Sequence, residues 1–383
     1  MKKIVVLGCG LVGSVMVRDL SEDPGLEITV SDASSSSLDR VRNLARVETK
    51  VADLSDPAVI RQMVGSADAV VGAVPGFLGD RMLRAVIEGG KPIADISFSP
   101  ENPLNHDSLA KERGVTAVVD CGVSPGLSNL AAGRAASQLD SVSAVRIFVG
   151  GLPVERRWPY EYRIVFSATD VIEEYTRPAR LRIRGEVVVK PALSEIELID
   201  LPRVGTLEAF NTDGLRTLLD TIDAPDMKEK TLRYPGHAER MRMLRESGFF
   251  SEDPEKVGEV QVVPRAFTER LLFRAWKRGE DERELTVLRV EVDGLKHGSS
   301  LRFTYDLFDQ TDEKRGETSM ARTTGFPCAI MARLLARGEY TAPGVRPPEL
   351  FAGMPTVYDK LIAELGKRGV DFRETVSPLS DSR

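Results

Sequence analysis

The chain has 383 residues, 42% hydrophobic and 29% charged, with a formal net charge of −6. That length is long for one core and suits two domains, while the acid excess argues against a nucleic-acid partner, whose phosphates need a basic surface. Three cysteines (Cys9, Cys121, Cys328) and three scattered histidines (His106, His237, His297) form neither a disulfide framework nor a zinc spacing. No uncharged stretch reaches the roughly 20 residues of a membrane helix. The expectations are a reducing, cytoplasmic setting, no metal, no membrane and no nucleic acid.

In chain order, two lysines and an apolar run at the start imitate a secretory leader. Gly8, Gly10 and Gly13 interrupt the run, and Arg18 and Asp19 close it without a cleavage signal. Ile4 to Leu7 suits a buried parallel strand instead, and Val15, Met16 and Leu20 give the next segment an apolar helical face. A second strand over Ile28, Thr29 and Val30 ends at Asp32, about 20 residues beyond the first glycine, where a dinucleotide fingerprint carries its acid. In that motif Gly8 permits the turn and Gly10 lets the backbone approach a pyrophosphate. Leu11 and Val12 open the helix, and Gly13 lets it pack on the strand, so the phosphates meet the helix N-terminus. Asp32 would bond the adenosine ribose and repel a 2′-phosphate, its competing role being a helix cap. No arginine follows before Arg40, which favours NAD over NADP.

Further strands are predicted over Val47–Val51, ending near Asp53, then Ala69–Val74 running into Pro75-Gly76, then Pro92–Ile96 and Thr116–Val119. Asp53 either borders the adenine or forms a turn. Six strands alternating with helices describe an α/β, doubly wound parallel-sheet Rossmann domain over residues 1–140. Ser124 reads as an N-cap with Pro125 at the first helical position of a helix reaching about Gln138. From Ser143 to about Asp309 the texture changes. "AVRIFVGGLP", "YEYRIVFS", "RLRIRGEVVVK", "ELTVLRVEVDG" and "LRFTYDLFD" predict an α+β domain, residues 141–319, with a largely antiparallel sheet. A charged, more helical insertion spans roughly Thr212 to Gly248. "TGFPCAIMARLLARGEY" returns to helix, C-terminal helices over about 320–383 complete the first domain, and Pro343 to Pro348 is a loop.

Ligands of doubly wound sheets bind beyond the carboxyl ends of the strands, so the residues there are candidates by position. Val74, Pro75 and Gly76 would border the cofactor. Asp95 and Asp120 end the strands expected beside the nicotinamide, where a carboxylate would orient an amine or take its proton, or else cap its own turn; Ser97 would touch substrate. Cys121 reads as packing, since no histidine lies near it to activate it. In "TLRYPGH", Arg233 is a natural bidentate partner for a substrate carboxylate, and His237 is either an acid–base group or a structural, hydrogen-bonded histidine. Glu173-Glu174, beside Tyr175, reads as a solvated face.

The stretches "GCGLVG", "AVPGFLG", "DISFSPENPL", "DCGVSPGLSN", "GGLP", "VIEEYTRPARL", "DGLRTLL", "TLRYPGH" and "TTGFP" together resemble the saccharopine dehydrogenase family, in particular its lysine 6-dehydrogenase branch. They run from Gly8 to Pro327; "GCGLVG" is generic, whereas "DISFSPENPL" with "TLRYPGH" is specific. The resemblance implies NAD-linked oxidative deamination of the lysine ε-amine to 2-aminoadipate 6-semialdehyde and ammonia, by a homo-oligomer, by default a dimer. Under it Asp95 or Asp120 would be the base or hold the amine, and Arg233 would hold the α-carboxylate. Two alternatives stay open. A saccharopine dehydrogenase acting on a lysine–glutamate adduct would need further cations, for which Arg163, Arg177 and Arg322 are the candidates. A non-catalytic NAD-binding sensor would have no use for acids at both nicotinamide-side strand ends.

Overall fold

A computed structural model describes residues 1–165, 168–279 and 282–379. The first sheet contains β1 (Lys2–Leu7), β2 (Leu26–Asp32), β3 (Val47–Val51), β4 (Ala69–Gly72), β5 (Ile93–Asp95) and β6 (Thr116–Val118). Around them run α1 (Leu11–Ser21), α2 (Ser35–Leu38), α3 (Pro57–Val64), α4 (Gly76–Glu88), α5 (Asp107–Glu112) and α6 (Leu127–Ala136). The strands are parallel in the order β3-β2-β1-β4-β5-β6. The order reverses between β1 and β4, the switch point where such sheets open a crevice. Alternation along β1 explains the two helical layers. Ile4 and Val6 pack with Met16 and Leu20 of α1, while Val5 and Leu7 pack with Ile60 and Val86 on the opposite face.

The second sheet is built from β7 (Ser141–Pro153), β8 (Ala179–Ile183), β9 (Glu186–Lys190), β10 (Glu197–Leu201), β11 (Gly205–Asn211) and β12 (Asp226–Arg233). A separate hairpin, β13 (Glu255–Val257) with β14 (Val260–Val262), follows, and then the long strands β15 (Glu284–Lys296) and β16 (Ser299–Gln310). Between them lie α7 (Ala168–Thr176), α8 (Leu218–Thr221), α9 (His237–Glu246) and α10 (Pro264–Trp276). Only the β7–β12 pairing is parallel. A parallel neighbour requires a crossover, and here the chain between the two strands makes it.

The chain then returns to the first sheet. α11 (Ser319–Ala336) is buried along almost its whole length against α1, where a Cβ on Gly325 would come within 2.9 Å of Met16. Arg333 of α11 pairs with Asp19 of α1. β17 (Gly344–Val345) adds a seventh parallel strand beside β6, α12 (Pro355–Lys367) packs outside, and β18 (Phe372–Pro378) pairs with β16 in the second sheet. One apolar core runs through both sheets, joining β1 and α1 to β15, β16 and α11.

Several predicted elements differ. The loop expected over Pro343–Pro348 contains β17, whose two residues are too few to show a period. The insertion expected to be helical contains β12, because Met227, Thr231 and the stems of its charged residues are buried between neighbouring strands. α6 starts at Leu127 with Gly126 as its N-cap, held by the Asn129 side chain, and Ser124–Pro125 is a cis peptide ahead of it. The strand expected over "YEYRIVFS" is irregular from Tyr160 to Val165, and its last two residues lie outside the described residues.

Candidate active site

A cleft of about 550 Å³ opens at the switch point and is roofed by the second sheet. Its first end is made of backbone. The β1 ladder continues as Gly8 N–H donates to the Ser31 carbonyl at 2.8 Å. Gly8 then turns with φ +106°, where a Cβ would overlap the Ala73 carbonyl; a Cβ on Gly13 would overlap the Gly8 carbonyl. Gly10 differs: a Cβ there meets nothing within 4 Å. Its space faces outward, and no side chain caps the first turn of α1. An empty approach to uncapped N–H groups is what a pyrophosphate requires. Asp32 ties this loop to β2, accepting from Cys9 N–H and Ser34 N–H, both at 2.8 Å. Gly8, Gly10, Leu11, Val12, Gly13, Asp32, Asp53, Val74 and Pro75 all line the cleft. Asp53 accepts from Ser55 at 2.9 Å at the mouth, and those bonds hold its carboxyl below the usual range. Gly76 is not in the lining; it sits tight under the Phe98 carbonyl.

The strand-end acids are not in the lining either. Asp95 is buried under β4, where a Cβ on Gly72 would overlap its carboxylate, and it accepts from Ser97 N–H at 2.9 Å. Burial raises its pKa to about 7 against those bonds. Asp120, at φ +50°, is locked to Arg216 at 3.2 and 3.3 Å, and Arg216 also bonds the Ser99 carbonyl. Ser97 is buried against Gly79. Position at a strand's carboxyl end brings these residues near the crevice, but Asp95 turns back to the Ser97 amide and Asp120 is taken up by Arg216.

The second end is made of side chains. α7 spaces Asp170, Glu173 and Glu174 with Arg177 just beyond, at intervals of three and four, so that one helical face meets the cleft. The acidic pair expected on a solvated face therefore lies in the cleft wall. Alternation along β12 sends Glu229, Thr231 and Arg233 to the same side, opposite Val149, Gly150 and Gly151 of β7. Thr212, Asp213 and Gly214 of the β11–α8 loop complete this end, with Phe98, Met320 and Thr324.

Most of these charges are committed. Arg233, only 2% exposed, pairs with Glu174, donates to the Leu232 carbonyl and lies 4.6 Å from the Tyr162 ring. Asp213 holds Arg180 bidentately at 2.9 and 3.0 Å. Glu173 accepts from Arg265 and lies 3.5 Å from Arg177, whose guanidinium sits 5.2 Å from the Phe98 ring. Two donors remain: among the described residues, Arg233 Nε and Arg177 Nη1 are buried with no hydrogen-bond partner. Burial pushes the Glu174 carboxyl up against the pull of Arg233, and raises Glu229 to about 8.

His237 stands behind this wall. Its Nδ1 donates to the Tyr160 carbonyl and its Nε2 accepts from the Tyr175 hydroxyl, both at 2.9 Å. Burial, with Arg233 nearby, lowers it to about 3, so it is a neutral packing imidazole among Tyr162, Tyr175 and Trp276. The sequence reading did not single out Asp170, Asp213 or Glu229, and it set Glu173-Glu174 aside as a solvated face. The period-two placement of Glu229, Thr231 and Arg233 in "DMKEKTLR" was the available signal.

Comparison with known proteins follows the two sheets. Residues 4–118 match the model of the saccharopine dehydrogenase NADP binding domain, and residues 122–370 match that of the saccharopine dehydrogenase C-terminal domain. The mitochondrial alpha-aminoadipic semialdehyde synthase of Mus musculus is 22% identical over 97% of this chain and 47% of that protein. The chain thus spans about half the length of this relative. The saccharopine dehydrogenase [NADP(+), L-glutamate-forming] of Schizosaccharomyces pombe is 21% identical over 98% of this chain and 99% of its own. The apo saccharopine dehydrogenase (L-Glu forming) from Saccharomyces cerevisiae superposes with a TM-score of 0.81 at 17% identity, covering 98% of this chain and 100% of that one.

Proposed function

We propose that this chain, which belongs to the saccharopine dehydrogenase family, oxidises the ε-amine of lysine with NAD, releasing ammonia and 2-aminoadipate 6-semialdehyde. A nicotinamide dinucleotide suits the first end of the cleft: the Gly8–Gly13 turn would take its pyrophosphate, and Val74 and Pro75 would flank the nicotinamide half. When bound, that cofactor accepts the hydride. Asp32 supports NAD, because a carboxylate at the end of β2 would repel a 2′-phosphate, and Ala33, Leu54 and Ser55 of the same cleft bring no cation.

The observation that carries the substrate reading is the charge balance of the second end. Five acids line it (Asp170, Glu173, Glu174, Asp213, Glu229) with two arginines, Arg177 and Arg233, and Arg180 and Arg265 pair with Asp213 and Glu173, which leaves one acid more than there are arginines. Lysine brings one carboxylate for the open donors of Arg177 and Arg233 and two ammonium groups for the acids. Saccharopine brings two further carboxylates, which would meet a wall already lined with acids, at a cost in unpaired charge. The chain's own residues would therefore hold the amino acid by its carboxylate and place the ε-carbon over the Pro75 end.

The test is direct. Purified protein given lysine and NAD should generate reduced cofactor, and the reverse reaction should require ammonium. Reverse turnover that depends on glutamate and ignores ammonium would overturn the lysine reading in favour of saccharopine, and preference for NADP would remove the ribose role of Asp32.

A further inference from the structure

Amine oxidation needs a base. The substrate nitrogen arrives as an ammonium, which has no lone pair to form a double bond, and the strand-end acids expected to deprotonate it face away from the cleft. Glu229 is placed differently. It sits mid-strand in β12 on the face that lines the cleft, only 3% exposed. Two acids act on its charge, and one arginine shares its face of the strand. Glu174 comes from α7 and is tied to Arg233; Asp213 comes from the β11–α8 loop and is tied to Arg180; Arg233 lies on its own strand. From β7, its register partner is the apolar Ile147. The neighbouring acids thus have cations, whereas Glu229, among the described residues, has none. Its carboxylate instead accepts from the Thr212 hydroxyl at 2.6 Å, and that hydroxyl lies 2.9 Å from the Thr231 hydroxyl, which also lines the cleft. Gly214 leaves the room it occupies, since a Cβ there would come within 2.5 Å of Glu229 Cδ.

We propose that Glu229 is the general base that takes the proton from the substrate's ammonium before the adjacent carbon gives up hydride, a role resting on the amine-oxidation reading above. The carboxylate removes one proton from R–CH₂–NH₃⁺, leaving R–CH₂–NH₂ and a neutral carboxyl. The nitrogen lone pair then forms the C=N bond as the C–H electron pair leaves as hydride to the oxidised nicotinamide, giving R–CH=NH₂⁺. Water adds to that carbon and ammonia departs, which leaves the aldehyde. An ordinary carboxylate is too weak a base for an ammonium. Burial, reinforced by Glu174 and Asp213 and opposed by Thr212 and Gly214, lifts Glu229 to about 8, close to neutral working conditions. The sign follows: the base is competent above about pH 8 and protonated below it.

Glu229→Gln keeps the Thr212 hydrogen bond and the volume, so it separates proton transfer from packing. Wild type should show kcat/KM rising with pH through a limb near 8. The variant should lose that limb, with kcat falling by about 10²–10⁴-fold, while KM changes little and NAD affinity by calorimetry is unchanged. Glu229→Asp should restore part of the rate together with a titrating limb. Profiles taken in parallel with lysine and with saccharopine distinguish the two ways to fail. If wild type oxidises only saccharopine, the lysine reading falls, and loss of the limb on saccharopine still supports Glu229. If the variant keeps the limb and the rate on whichever amine is oxidised, Glu229 is not the base. If wild type oxidises neither amine, both proposals are overturned.

Discussion

The two ends of the cleft are built on opposite plans. The cofactor end is backbone: a glycine turn, the uncapped start of α1 and one aspartate that pins the loop, all within residues 8–34 and contiguous in the chain. The substrate end is side chain: carboxylates and arginines from α7, the β11–α8 loop and β12, spread over residues 170–233 and held by one another. A backbone site binds a ligand part common to every dinucleotide and tolerates little change in the chain. A side-chain site is tuned by substitution but must satisfy every buried charge, which is why its arginines come already paired.

The comparison can be broken at its first end by two glycines with opposite outcomes. Gly8→Ala forces a side chain into φ +106° and onto the Ala73 carbonyl, and should cost about 2–4 kcal/mol of folding stability, seen as a drop in Tm. Gly10→Val adds atoms only to open space, so Tm should hold while NAD affinity by calorimetry falls on the order of 100-fold or more, about 2.7 kcal/mol. Unchanged affinity in Gly10→Val would remove the pyrophosphate from this turn.

At the second end Arg177 is the sharper probe. Arg233→Ala would leave half-buried Glu174 without its cation and should cost about 1–3 kcal/mol of stability, which would mix with any kinetic effect. Arg177→Ala leaves Glu173 still paired with Arg265. Its KM for lysine should rise about 10–100-fold with kcat less affected, the loss of a charge-assisted bond of about 1.5–3 kcal/mol. An unchanged KM would mean that the substrate carboxylate is held elsewhere.

The smallest effect is expected just outside the cleft, at Asp95. Asp95→Asn keeps an acceptor for Ser97 N–H, and the side chain lies outside the cleft, so turnover should change by less than about threefold. Stability should gain at high pH. Asp95 has a folded pKa raised to about 7 from an ordinary 3.8, so its stabilising, protonated state is present at low pH and is lost as pH rises through about 7. Asparagine removes that loss. A fall in turnover of the size expected of a general base would return the catalytic role to Asp95.

The first sheet and the glycine turn after β1 are legible in the sequence, because both are written in neighbouring residues. β-branched runs such as Ile4–Leu7 must be buried on two faces, and a glycine triplet between such a run and an amphipathic helix has few other uses. The sequence also supplied β7, β15 and β16 through their alternation. It did not determine β17, whose two residues follow β6 only because the chain returns past α11. Nor did it decide which acids line the cleft. A strand-end aspartate looks the same whether it points into a crevice or accepts from the amide two residues on, and Asp95 does the latter. Glu173-Glu174 reads as solvated until the second sheet closes over α7, and Glu229 reads as one charge in a polar run until β7 and β11 flank it. Burial, partner and direction are properties of the assembled neighbours, so the chemistry of the substrate end belongs to the tertiary structure.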